Sequence, residues 1–209
     1  MENCGNQYCT AFEGNRCIAA GPLLQVVRKV KEYIGTDHQM PLLIFNDLTS
    51  ELIEIDFRGT VDDVLERAGN RASGAESASG LQENDQNAKR GPGRPRLGVV
   101  SREVTLLPRH WEWLNSQSGG ASVALRKLVE EARRVNRGRD AVRQSQDITY
   151  RFISAIAGNL PGFEEAARAL YAADRQRFNS FTEDWPADIR AHAQKLAHAA
   201  LEENTDGSA

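Results

Sequence analysis

From Asn70 to Ala88 the chain carries a single large apolar side chain, Leu81, among Ser, Gly, Ala, Asn, Gln and Glu. A stretch so poor in apolar surface cannot offset the entropy lost on ordering its backbone. It therefore divides the 209 residues before any other pattern is considered. The expected layout is a small α+β domain at 1–69 and a flexible linker with a basic arm at 70–98. A central segment at 99–138 and a C-terminal α-helical bundle at 139–201 follow.

The part before the linker reads as ββαββα. Tyr8–Phe12 and Cys17–Ala20 are strand candidates, and Glu13-Gly14-Asn15-Arg16 between them is turn chemistry. Gly21-Pro22 opens a helix with Val26, Val27, Val30, Tyr33 and Ile34 on one face, and Gly35 ends it. Leu42–Phe45 is a compact apolar run. Ile53, Ile55 and Phe57 alternate with Glu54 and Asp56, the pattern of a half-buried strand. Thr60, with Asp62 and Asp63 behind it, suits a helix start. One antiparallel sheet covered by two helices is the expected result.

In the centre, Arg102–Leu107 is β-prone and Pro108 opens a short helix bearing Trp111 and Leu114. Gly119-Gly120 breaks that helix, and Ser122 is a candidate N-cap for the next, which carries a stripe of Leu125, Leu128, Val129, Ala132 and Val135. Ala141–Ala157, a helix after Leu160-Pro161-Gly162, and a last helix from Trp185-Pro186 to Leu201 complete the chain.

Net charge is −3, yet its distribution is uneven. Residues 1–88 hold 7 basic and 14 acidic side chains, residues 89–145 hold 13 and 5, and residues 146–209 hold 6 and 10. A segment of +8 thus sits between two acidic ones, and local charge governs contact with phosphate over a screening length of roughly 10 Å. Duplex DNA is the expected ligand of residues 89–143. Candidate contacts are Lys89, Arg90, Arg94, Arg96, Arg102, Arg109, Ser122, Arg126 and Lys127.

Lys89-Arg90-Gly91-Pro92-Gly93-Arg94-Pro95-Arg96 resembles an AT-hook, with Pro92 where the first core arginine would stand. That resemblance implies Arg94 and Arg96 in an A·T-rich minor groove. The strand–helix–helix order after it resembles the ribbon-helix-helix fold. The resemblance implies a homodimer with Arg102–Leu107 as the ribbon, Ala121-Ser122-Val123 as a phosphate grip and Leu125, Leu128 and Val129 as dimer core. The segments TAFEGNR, REVTLLPRHWEWL, GGASVALRKLVEEAR and LPGFEEAARALYAAD together resemble a bacterial family, domain of unknown function number 2239. That resemblance implies a bacterial origin and a shared architecture, and no activity.

Catalysis is not expected. His110 has no visible nucleophile, and His192 and His198 are six apart and do not share a helical face. Cysteines 4, 9 and 17 are odd in number and lack the pairing of a zinc site, so reduced thiols are expected, with no metal or cofactor. No apolar run approaches the roughly 20 residues that span a bilayer, and no secretory signal opens the chain. A cytoplasmic, dimeric DNA-binding regulator or nucleoid factor is the leading expectation, its terminal parts holding a protein partner or effector. An adaptor whose basic centre docks on acidic protein is the rival.

Overall fold

A computed structural model describes residues 7–34, 41–78, 100 and 102–202, with side chains for all of these but 71–78. The fold is α+β, with a three-stranded antiparallel sheet near the N-terminus and mostly helix thereafter. It divides into two bodies, one of Met1–Gly80 with Arg139–Ala209, the other Leu81–Gly138. Among the described residues no helix is long and apolar enough to cross a membrane.

In the first body β1 (Tyr8–Glu13) and β2 (Arg16–Pro22) form a hairpin. Gly14 takes φ of 52° in the turn, a conformation that glycine adopts without a steric cost. β3 (Leu42–Asn46) pairs antiparallel with the other edge of β1, giving the order β2-β1-β3. Strand side chains alternate, so the central strand feeds two cores. Cys9 and Ala11 face a cluster built by Leu23, Val26, Val27 and Val30 of α1 (Leu23–Tyr33) and Val64 and Ala68 of α2 (Val61–Ala78). Phe12 and Phe45 face the opposite way, into a cluster with Phe152, Ile153, Leu170, Phe178 and Ile189. Both faces of the sheet are therefore covered. This joins what the sequence divides into a domain at 1–69 and a helical unit at 139–201, because Phe12 and Phe45 can leave water only under the C-terminal helices.

Three further expectations are corrected. Ile53, Ile55 and Phe57 are half-buried in the expected alternation, but no fourth strand forms. Beyond an isolated bridge of Phe45 with Leu52, the carbonyl oxygens at the end of this segment are taken by side chains. Lys31 Nζ donates to Phe57 O at 2.7 Å, and Arg67 donates to Asp56 O at 3.0 Å and to Arg58 O. The linker does not begin at Asn70, since α2 continues to Ala78 on alanine-rich sequence; residues 79–99 lie outside the described set. The helix expected from Ser122 and that expected from Ala141 are one, α4 (Gly120–Ile156). No proline interrupts them, and Gly138 alone is a tolerable cost.

The C-terminal helices are α5 (Phe163–Tyr171), α6 (Arg175–Phe181) and α7 (Ala187–Leu201). Gly162 starts α5 at φ of 75°, and a β-carbon there would meet Phe181 O at 2.8 Å, so no larger residue fits. Trp185 Nε1 donates to Pro161 O at 2.8 Å, locking the α6–α7 corner onto the turn before α5. Ser145 stitches α4 to α7, donating to Leu196 O at 2.7 Å and accepting from Ala200 N at 3.1 Å.

His192 lies inside this core with its ring 4.6 Å from Phe152 and 5.5 Å from Phe12, and its Nε2 has no hydrogen-bond partner among the described residues. Burial lowers its pKa from 6.5 to about 4, Asp47 nearby opposing and Lys195 assisting. The folded pKa is depressed, so the unfolded chain binds the extra proton first. The contribution of His192 to stability is present above the unfolded value and is lost as pH falls from about 6.5 towards 4. Denaturant titrations at pH 7 and pH 4 are expected to differ by about 3 kcal/mol from this residue. His192→Leu is expected to remove that part of the difference. A second expectation concerns Gly138, where a β-carbon meets nothing within 4 Å. Gly138→Ala is expected to stabilise α4 by up to about 1 kcal/mol, read as slower amide exchange around it.

Candidate nucleic-acid interface

The second body is described from Val100 onwards, apart from Ser101. Arg102–Leu107, expected to be a strand, takes no regular secondary structure, and its side chains are exposed apart from a half-buried Leu106. α3 (Pro108–Ser116) follows, with proline in its first turn, where its missing N–H costs nothing. Leu114 is the residue of α3 that is buried. Trp111 and Trp113 are both surface residues. Trp113 lies off the Leu114 face; Trp111, three residues before Leu114, shares that face and is the less exposed of the two.

The corner between α3 and α4 is made by Gly119 at φ of 90° and Gly120 at φ of 74°. Because glycine accepts these angles, α4 starts at Gly120, and Ser122 lies inside its first turn, not at the N-cap position the sequence suggests. Its backbone still belongs to the turn whose N–H groups lack helical acceptors, and the positive end of the helix dipole lies there.

The basic residues of this body sort into two groups. Arg133 pairs with Glu130 at 3.3 Å and Arg134 with Glu131 at 2.7 Å, each three residues apart along α4. Arg102, Arg109, Arg126 and Lys127 are exposed and form no ion pair with a described residue. Arg126 folds back to donate from Nε to Ser122 O at 3.1 Å, which holds its guanidinium beside the first turn of α4. Ser122, Arg126 and Lys127 are thus brought together by helix periodicity, whereas Arg102 and Arg109 belong to the irregular segment before α3 and to α3. Lys89, Arg90, Arg94 and Arg96 lie outside the described residues. Arg137, exposed and without an ion pair to a described residue, is a cation the candidate set left out; Asp140, three residues on, pairs with Arg143.

Chemistry of other kinds finds few parts. His110 is exposed, and His198 Nδ1 lies 3.2 Å from Glu202. Cys9 and Cys17 are free thiols on β1 and β2; burial, with Asp47 adding to it, pushes Cys9 up to about 12, far from a reactive thiolate. Among the described residues no group of three metal-ligating side chains comes together.

A family model described as "Uncharacterized protein conserved in bacteria (DUF2239)" matches residues 8–197. No curated protein and no solved structure matches the chain.

The two corner glycines are expected to differ in tolerance. A β-carbon on Gly119 would meet Val123 at 3.2 Å, whereas on Gly120 it meets nothing within 4 Å. Gly120→Ala should cost about 1 kcal/mol from its left-handed backbone alone, and Gly119→Ala more. Amide exchange across α3 in the two variants measures the order.

Proposed function

Since the chain belongs to this bacterial family, whose model takes in the basic centre together with both flanking parts, we propose that it is a DNA-binding protein, a transcriptional regulator or nucleoid-associated factor of the cytoplasm, and not a catalyst. The observation that carries the reading is the sorting of charge in the second body. Cations in the middle of α4 are neutralised by acids one turn away, while Arg102, Arg109, Arg126 and Lys127 are left for an external anion. A phosphate backbone is such an anion, presented at regular spacing. Ser122 adds first-turn backbone N–H groups, which suit a phosphate oxygen. Lys89, Arg90, Arg94 and Arg96 join from the sequence alone, as an arm for the A·T-rich minor groove.

Fluorescence anisotropy with labelled duplexes across a salt series tests this. Binding at low salt is expected, weakening as salt rises. Arg126→Ala with Lys127→Ala should lower the salt slope by about 0.9 for each lost phosphate contact, on A·T-rich and G·C-rich duplexes alike. Arg94→Ala with Arg96→Ala should weaken A·T-rich binding more. No binding at low salt by the intact chain would overturn the reading in favour of an adaptor that docks on acidic protein.

A further inference from the structure

The outward side of α3 carries an indole that the packing of the described residues does not use. Trp113 is 50% exposed. Tryptophan offers one of the largest apolar surfaces of any side chain, and it gains from that surface only when something covers it. One turn before Trp113 on the same face stand Arg109 and His110, both exposed. One turn after it stand Ser116, exposed, and Gln117, half-buried.

These neighbours say what the covering group is. A face that docks on protein is built from contiguous apolar surface, and none of Arg109, His110, Ser116 and Gln117 is aliphatic. A flat ring beside a cation suits single-stranded nucleic acid, because the ring stacks on a base of any identity and the cation takes a phosphate. Arg109 forms no ion pair with a described residue, Glu112 three residues on included. His110 sets a second flat ring one turn from the indole. The end of α3 is also fastened under Trp113. Ser116 Oγ donates to Trp113 O at 2.8 Å, and Gln117 Nε2 donates to the same oxygen at 3.2 Å. A ring fixed on a closed helix end loses little freedom when a base stacks on it.

We propose that Trp113 and Arg109 form a subsite for an unpaired base and its phosphate, the indole stacking on the base and the guanidinium holding the phosphate on the same side of α3. This rests on the nucleic-acid reading and narrows its ligand to a strand with at least one base out of its stack. Bases within an intact duplex present their edges in the grooves and not their faces, so plain duplex does not use this subsite.

Fluorescence anisotropy on the full chain, with labelled oligomers of deoxythymidine and of uridine and with an intact duplex, separates the two readings. Both oligomers lack internal pairing, and the tighter of the two names the sugar that the subsite accepts. Binding of an oligomer is expected to quench tryptophan emission. Trp113→Leu should weaken oligomer binding roughly 5- to 100-fold and remove the quenching, with the salt slope and the duplex affinity unchanged. Trp113→Tyr should restore most of the loss, because a phenol ring also stacks. Arg109→Ala should lower the oligomer salt slope by about 0.7 instead. Duplex binding with the oligomers ignored, or bound equally well by Trp113→Leu, overturns the subsite, leaves the indole to a protein partner and keeps the DNA reading. Equal weakening of oligomer and duplex by Trp113→Leu marks a structural role for the indole and overturns the subsite as well. No binding of any of the three at low salt overturns the DNA reading and the subsite with it.

Discussion

Phe12, Phe45 and Phe152 meet at ring distances of 5.0 to 6.1 Å, and the first body is organised around that contact. β1 and β3 each send one aromatic ring away from α1 and α2, and α4 supplies the third ring from more than a hundred residues later in the chain. All three are fully buried. A three-stranded sheet with helices on one face only would leave Phe12 and Phe45 in water. The long-range closure of the chain is therefore a requirement of the sheet's own sequence. Bonds of Asp47 fasten the same seam: Thr10 Oγ1 donates to it at 2.7 Å and Lys195 Nζ at 3.2 Å.

That closure places α4 in two environments. From Ser145 onwards the helix is covered, with Thr149, Phe152 and Ile153 fully buried and the hydroxyl of Ser145 held by α7. Towards its N-terminus the same helix carries Leu128, Val129 and Val135, which no described residue buries. Helix propensity does not distinguish the halves. What differs is whether tertiary neighbours arrive. In globular proteins packing of an amphipathic face, more than propensity, stabilises a helix.

Much was legible in residue order because the responsible forces are local. Turn chemistry at Gly14-Asn15, proline at the start of α3, and the reciprocal Thr60–Asp63 bonds that open α2 act within a few residues. Family membership was legible for the same reason, since quoted segments from both ends of the chain carry it. The candidate cations were legible as types, as was their excess over acids. Which of them stand clear of ion pairs was not, since Glu130 and Glu131 lie one turn from Arg126 and Lys127 as well as from Arg133 and Arg134, and the structure pairs them with the latter two.

What the order of residues could not decide were matters of partnership between distant segments. Ile53, Ile55 and Phe57 have strand alternation, but a strand needs a neighbour's ladder, and the carbonyl oxygens of Phe57 and Asp56 are taken by Lys31 and Arg67. Ser122 has N-cap chemistry, but the left-handed backbone of two glycines moved the start of the helix ahead of it. Trp113 is large enough for any core, but it lies off the face of α3 that Leu114 turns inward. Residues 1–69 and 139–201 look separable by composition, yet Phe12, Phe45 and Phe152 share one dry cluster. By itself the sequence determined the local elements, because hydrogen bonds and sterics within a turn act on neighbours. Only the tertiary structure decided which surfaces were covered, because burial depends on what the rest of the chain brings to the same place.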